Sequence, residues 1–315
     1  MLLILNCVSN VPKVAILLAA FNGEKFIAEQ LKSIFGQILV DVTVFVSVDF
    51  SSDSTLDIVN DFVKTESGRI EVLSYGEKYF SAGRNFFRLL VDVDFTPFDY
   101  VAFADQDDIW LPNKLSSSIS EMKATNSDAY SGNVTAFWPD NRQILIKKDY
   151  PQKRYDYLFE SAGPGCTFVF NVDLALSIKD ILIKKSEKIS TLWLHDWFCY
   201  SFARHCGYRW HIGSNPLMLY RQHTNNEVGA NSGISAILSR IKVVLSGDAY
   251  NKVLTQANFI EQDELPVKKI KVNSFLSLLS LSLLAFQCRR DNKDVFLFFI
   301  ASILMSLKVL VKKNE

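Results

Sequence analysis

The residues best suited to chemistry are densest at Asp105, Asp107 and Asp108, three carboxylates that follow directly on the apolar run at 100–104. Carboxylates crowded at one strand end repel each other unless a cation or a bound ligand compensates them. The run therefore reads as a hard-metal site serving a phosphorylated substrate. Taken alone, the same pattern would equally suit a solvated turn, or an aspartate cap on a helix beginning near Pro112. Two further positions carry the same ambiguity. Asp196 lies among Trp193 and Trp197, whose bulk would exclude water and raise a carboxyl toward the working range of a general base; it could also be a helix cap or a partner for Arg204. His223 follows Arg221 and Gln222, a cation and an amide that suit a diphosphate, although a lone histidine is more often a surface or core residue.

The elements that must position these groups decide between the readings. Residues 14–19 (VAILLA), 42–48 (VTVFVSV) and 100–104 (YVAFA) are β-branched or apolar runs typical of buried strands. Between them, 24–35 and 54–64 show helical spacing, 70–73 a short strand, and 85–90 a further helix. This alternation predicts a mostly parallel α/β sheet with helices on both faces and right-handed crossovers. In such sheets the ligand crevice opens at the carboxyl ends of the strands. The three strands end there in the polar loops 20–24, 49–55 and 105–108, so the acidic run sits where a ligand belongs. From about 131 to 230 the pattern turns mixed, with a Gly-Pro-Gly turn at 163–165 and many aromatics. It is expected to form an appended half that closes over the sheet edge and receives a second substrate.

Composition sets the bounds. The 315 residues include 49% hydrophobic residues and 24 Phe, enough for a substantial core, and Lys plus Arg equals Asp plus Glu at 34 each, so no basic field argues for nucleic acid. Cys7, Cys166, Cys199, Cys206 and Cys288 form no C-x-x-C pair, which suits a reducing cytoplasmic setting. The opening MLLILNCVSN lacks a basic n-region and reads as a short N-terminal extension. At the other end, 274–287 and 295–311 are apolar stretches that fall short of the ~20 residues needed to span a bilayer. Lys268, Lys269, Lys271, Arg289, Arg290, Lys293, Lys312 and Lys313 flank them. A helical region is expected over 231–315, with the two apolar stretches forming a hairpin that lies on an anionic membrane surface, against a pair packed on the protein's own core or a dimer interface.

Six motifs in order carry a resemblance: LLAAFNGEKFIAEQLKSIFGQ (17–37), VSVDFSSDST (46–55), ADQDDIWLPNKL (104–115), PGCTFVFN (164–171), LHDWF (194–198) and YRQHTNNEVGA (220–230). Over about 13–230 the chain resembles family 2 glycosyltransferases, in particular the rhamnosyltransferase-like branch of bacterial polysaccharide assembly. The resemblance implies a GT-A fold over 1–230, a nucleotide-sugar half at about 11–130 and an acceptor half at about 131–230. It also implies Mn2+ or Mg2+ and inversion at the anomeric carbon. Asp105 and Asp107 match the family's D-x-D element, with Asp107 the expected direct ligand, completed by His223. Asp108 would support the metal ligands or contact the sugar and Arg221 would contact the phosphates, while Ala20, Asn22, Glu24 and Asn85 belong with the donor set. Asp49 matches the carboxylate that contacts the nucleobase, although Val48 and Phe50 replace the family's carboxylate and glycine on either side. Asp53 reads as a helix cap. Asp196 matches the catalytic base, with His195 its rival; Gly165, Cys166, His195 and Trp197 would shape the acceptor pocket.

The function expected is transfer of L-rhamnose from dTDP-L-rhamnose onto a saccharide or polyprenyl-linked saccharide in cell-surface polysaccharide synthesis, at the inner face of the membrane. Transfer of a hexose or N-acetylhexosamine from a UDP-sugar is the alternative among enzymes, and a degenerate membrane-bound scaffold the alternative outside them. No G-x-G-x-x-G follows the first strand, which argues against a dinucleotide-dependent oxidoreductase.

Overall fold

The computed structural model describes residues 11–223 and 246–314. The N-terminal extension at 1–10, the 224–230 end of the last motif, and the side chains of Lys312 and Lys313 lie outside the described residues. The first half alternates β1 (Lys13–Ala20), α1 (Ile27–Phe35), β2 (Asp41–Val48), α2 (Thr55–Thr65), β3 (Ile70–Val72), α3 (Ala82–Asp92) and β4 (Tyr100–Asp105). β1 pairs in parallel with β2 on one side and β4 on the other. Alternation along β1 explains why this strand is central. Val14, Ile16 and Leu18 enter one core with Ile27, Leu31 and Ile34 of α1, whereas Ala15, Leu17 and Ala19 enter the other with Phe86, Phe87, Leu89 and Leu90 of α3. Fully burying a Leu, Ile or Phe contributes ~1.5–3 kcal/mol, so a register slip that exposed one face would be costly.

The next stretch comprises β5 (Ile109–Trp110), α4 (Lys114–Thr125), β6 (Ala129–Gly132), β7 (Val134–Phe137), β8 (Gln143–Ile146), β9 (Val169–Asn171), α5 (Val172–Lys184), α6 (His195–His205), β10 (Trp210–Gly213) and β11 (Met218–Arg221). It does not form an appended half closing over an edge. β6, β9 and β10 extend the main sheet, in the order β10-β6-β9-β4-β1-β2-β3, with β9 antiparallel between β4 and β6. A second sheet, β5-β11-β7-β8, carries the chain back beside the acidic run. Strands of two to four residues are too short to show the period-two signal of the longer ones.

The C-terminal region is α7 (Asp248–Ile260), α8 (Leu265–Val272), α9 (Phe275–Ser282), the single turn α10 (Ala285–Cys288) and α11 (Asn292–Asn314). Ala257, Phe259, Ile260, Val267 and Cys288 lie in the same core as β1 and α3, so these helices complete the catalytic domain rather than trail from it. Leu278, Leu281 and Met305 form a smaller cluster with Trp197 and Tyr250. Two expectations change here. A 20-residue stretch of α11, Asn292–Val311, is long and apolar enough to cross a membrane, because the helix starts before the apolar run and hides Ser302 and Ser306 on its inner face. Arg289 and Arg290 do not face headgroups. Arg290 is buried, donating from Nη2 to Ser161 O at 2.5 Å with Nε 3.3 Å from Glu160, and Arg289 donates to Phe159 O at 2.7 Å. They neutralise Glu160 and, together with Arg204, the fully buried Asp156.

Candidate active site

The three loops at the carboxyl ends of β1, β2 and β4 are tied to one another. Asn22 adopts φ 46° and accepts from Ser52 N at 2.9 Å, while its own N–H donates to Ser51 Oγ at 3.0 Å. Gly23 N donates to Thr55 Oγ1, and Glu24 accepts from Ser54 N at 3.1 Å. Gln106 makes a two-way amide clasp with Phe21, donating to its carbonyl and accepting from its N–H. Asp53 accepts from Thr55 N and Thr55 Oγ1 and from Glu24 N; the N-cap of α2 is Ser54, so Asp53 ties the two loops together rather than capping the helix as expected. Partial burial would raise its carboxyl, but these donors outweigh burial and hold it below its ordinary value. Such a cradle is built before any donor arrives, which spares the ordering cost at binding.

The acidic run stands at the open end of this cradle. Asp107 Oδ2 lies 2.6 Å from His223 Nε2, and His223 stacks on Phe26 with ring centroids 5.3 Å apart. Arg221 donates from Nε to the Asp107 carbonyl at 2.8 Å and from its backbone N–H to Asp108 Oδ1 at 3.1 Å, and its guanidinium pairs with Glu29. β11 thus delivers His223 and Arg221 to the acidic run across more than a hundred residues. Asp108 is fully buried; burial, with Asp105 and Asp107 beside it, pushes its carboxyl well above the usual range. Its Oδ2 has no hydrogen-bond partner among the described residues. Asp105, Asp108 and Cys166 bring one donor atom each within 4.8 Å of one another. Burial keeps the Cys166 thiol protonated, so the groups that fit a hard divalent ion are the carboxylates and the imidazole.

Asp196 occupies the first turn of α6, 2.7 Å from Trp197 N, against the Gly-Pro-Gly turn. Burial pushes its carboxyl up to about 6, with the Trp197 N–H and the Ser161 hydroxyl holding back part of the rise. A Cβ on Gly165 would stand 2.6 Å from His195 Nε2 and 3.3 Å from Asp196 Cβ, so only glycine lets the turn approach the carboxylate this closely.

Comparison with known proteins decides what this arrangement belongs to. Residues 15–175 match the profile of Glycosyl transferase family 2. The chain belongs to this family. It is 39% identical over 287 residues to the dTDP-rhamnosyl transferase RfbG of Shigella flexneri, covering 91% of this chain and 99% of that one. It is also 32% identical over 158 residues to the Escherichia coli UDP-Glc:alpha-D-GlcNAc-diphosphoundecaprenol beta-1,3-glucosyltransferase WfgD, over 50% of this chain and 58% of that one. The structure superimposes on S. aureus TarS 1-349 in complex with UDP-GlcNAc with a TM-score of 0.53, covering 96% and 91% of the two chains at 12% identity. The fold is GT-A, as the motifs implied, and the protein is a glycosyltransferase.

Within the transferase, several expected contacts are placed differently. Asp49 accepts from the backbone N–H of Phe50, Tyr79 and Phe80, so its carboxylate folds the 74–81 loop over the donor end. Asn85 is buried and donates to Ser47 O, bracing β2 rather than opening to a ligand. His195 is a core residue: its ring stacks on Phe86 at 3.9 Å, neither nitrogen has a hydrogen-bond partner among the described residues, and burial depresses its pKa to about 3. A neutral, enclosed imidazole takes no acceptor proton. Cys166 is fully buried, with its thiol within 4.8 Å of the Asp105 and Asp108 carboxylates. Trp197 is buried, donates to Tyr157 O at 2.9 Å, and lines a cavity together with Trp193. Ala20 is buried at the end of β1, where its carbonyl accepts from Asp49 N. Sequence reasoning missed Lys114, whose Nζ lies 3.5 Å from the centre of the Trp110 ring and whose pKa burial lowers to about 7. It also missed Gln106, whose place inside the D-x-D motif was a usable signal.

Proposed function

We propose that the protein is an inverting, metal-dependent transferase that moves L-rhamnose from dTDP-L-rhamnose onto a saccharide acceptor, lipid-linked, at the cytoplasmic face of the membrane. The observation that carries the donor assignment is the 39% identity to the Shigella dTDP-rhamnosyl transferase, which runs through both the donor cradle and the acceptor side. Asp107 and His223, with Asp105, would hold Mn2+ or Mg2+. The ion would neutralise the diphosphate as it leaves. Arg221 is positioned to contact the same phosphates, and Asn22, Glu24 and the loop folded by Asp49 enclose the nucleotide. Asp196 removes the proton from the acceptor hydroxyl as that oxygen attacks the anomeric carbon and the bond to the diphosphate breaks. A carboxyl with a pKa of about 6 is ionised at neutral pH yet basic enough to accept that proton.

Membrane contact is supported by the two-sided character of the C-terminal hairpin. α11 packs Val295 and Met305 inward, whereas Phe296, Leu307 and Val311, with Leu276, Leu283 and Phe286 of the α9–α10 segment, are exposed. A helix with one face on its own catalytic domain lies along the bilayer surface rather than through it. The deciding experiment is a panel of dTDP-rhamnose, UDP-glucose, UDP-galactose and UDP-N-acetylglucosamine with Mn2+ or Mg2+, read as slow donor hydrolysis and thermal stabilisation. dTDP-rhamnose should give the largest response; a larger response to a UDP-sugar overturns the donor assignment in favour of UDP-hexose transfer.

A further inference from the structure

A cavity of about 190 Å3 opens between the start of α6 and α7. Its aromatic wall is Trp193 and Trp197, which meet nearly at right angles with centroids 6.4 Å apart. Its polar wall is Asp248, Asn251, Lys252 and Gln256. These four recur at the i, i+3, i+4 and i+8 spacing of one helix face, so α7 turns a continuous polar stripe toward two indoles. A core-facing stripe at this spacing would be apolar; this one carries a carboxylate, two amides and an ammonium.

The wall is held rigidly. Trp197 is locked by its hydrogen bond to Tyr157 O, and the Lys252 ammonium sits 3.3 Å from the centre of the Trp193 ring. α3 reaches the Trp193 backbone so closely that a Cβ on Gly83 would stand 2.7 Å from Trp193 O. Yet Trp193 remains 49% exposed, an unusual state for an indole so firmly oriented. A fixed, half-open aromatic corner facing amides and a carboxylate matches the two-sided chemistry of a pyranose: apolar C–H faces that pack on indole, and ring-edge hydroxyls that need donors and acceptors.

We infer that this cavity is an acceptor subsite, holding a sugar unit next to the one that bears the reacting hydroxyl. Trp193 and Trp197 lie within three residues of Asp196 at the start of α6, so a ring lodged against them would hold its neighbour near the turn that carries the proposed base. The C-terminal helices therefore read the acceptor as well as complete the core. The inference rests on the proposed saccharide acceptor but not on the identity of the donor.

The test uses the full-length protein and saturation-transfer NMR with the methyl glycosides of glucose, galactose, rhamnose and N-acetylglucosamine and their disaccharides, alongside dTDP affinity measured with Mg2+. Wild-type protein should saturate at least one glycoside. Trp193→Ala and, independently, Asn251→Leu should each weaken that binding about tenfold, equal to ~1.4 kcal/mol, with dTDP affinity unchanged. Glycoside binding undiminished in both variants overturns the subsite. So does an absence of glycoside binding in a wild-type protein that binds dTDP, which leaves the donor reading intact. If glycoside binding is lost in the variants while wild type fails to bind dTDP, the subsite stands and the donor assignment falls.

Discussion

The proposed donor side and the proposed acceptor side of this transferase are built by different means. The proposed donor cradle consists of three loops that each follow directly on a long buried strand and are laced to one another by polar contacts: Asn22 to Ser52, Glu24 to Ser54, Gln106 to Phe21. The acceptor side is assembled from segments far apart in the chain: Gly165 and Ser161 on turns, Trp193 and Asp196 at the start of α6, Lys252 on α7, Arg290 beyond α10. The first is a rigid cradle for a ligand shared across a family. The second is a composite wall whose parts can change separately, as specificity for different acceptors requires.

The sharpest way to break the comparison is at Asp107. Asp107→Ala removes the carboxylate that meets His223 and should lower transfer by ~10³ or more, with metal-dependent nucleotide binding lost in the same preparation. Wild-type activity in excess chelator would remove the ion from the reading. Such a loss on the donor side should leave glycoside binding at the Trp193 cavity intact, because the two sides share no ligand.

Asp196→Asn tests the other side and should lower transfer by ~10²–10⁴ with donor affinity little changed. If Asp196 is the base it must be ionised in the wild-type protein, so the rate should fall about tenfold per pH unit below the carboxyl's value of about 6. The variant should lack that limb. Stability should move the other way. A carboxyl raised from 3.8 to about 6 stabilises the fold only while protonated; that contribution is complete below pH 3.8 and lost as pH rises through about 6. The substituted amide carries no charge at either pH, so the variant should be more stable at pH 7 by on the order of 2 kcal/mol, an advantage that disappears near pH 4. A denaturation series at the two pH values reads this directly. Equal stability at both would mean that the carboxylate is solvated.

The same contrast explains how much was legible in the sequence. β1, β2 and β4 are continuous apolar runs, and Asp105, Asp107 and Asp49 follow at their ends, so pattern alone brought these carboxylates to one end of the sheet. What it could not foresee is where a polar side chain spends its lone pairs: Asp49 and Asn85 both serve backbone groups inside the protein. His195 stands beside Asp196 in sequence, but the helical turn sends one residue into the Phe86–Phe103 core and the other toward Ser161. The short strands β6, β9 and β10 escaped detection because their pairing is decided by partners distant in the chain. The basic residues at 289 and 290 looked like headgroup ligands only because Asp156 and Glu160, which claim them, lie more than a hundred positions away.

Gly165→Ala probes the seam between the turn and α6. Its Cβ would collide with His195 Nε2, and because His195 is wedged against Phe86 it cannot retreat without disturbing the core. Overpacking of this kind costs ~1–3 kcal/mol. Part of it should appear as a several-fold loss in kcat with acceptor while nucleotide affinity holds. A variant with unchanged kcat would show that the turn can yield without moving Asp196.

The smallest effect on chemistry is expected at the exposed face of the hairpin. Leu283 and Phe286 are 73% and 74% exposed, and replacing both with Ser removes apolar surface that makes no contact with the base or the acidic run. Transfer to a soluble saccharide acceptor should therefore stay near wild type. Flotation with vesicles of phosphatidylglycerol and phosphatidylethanolamine should differ: losing two side chains, each worth ~1.5–3 kcal/mol when buried, would weaken partition at least tenfold. Salt should release the wild-type protein only in part, because screening reaches the exposed Lys268 and Lys271 but not the apolar contact. Equal flotation of the double variant would assign this face to a protein contact instead. In that case the oligomeric state, measured with and without the two substitutions, should change with it.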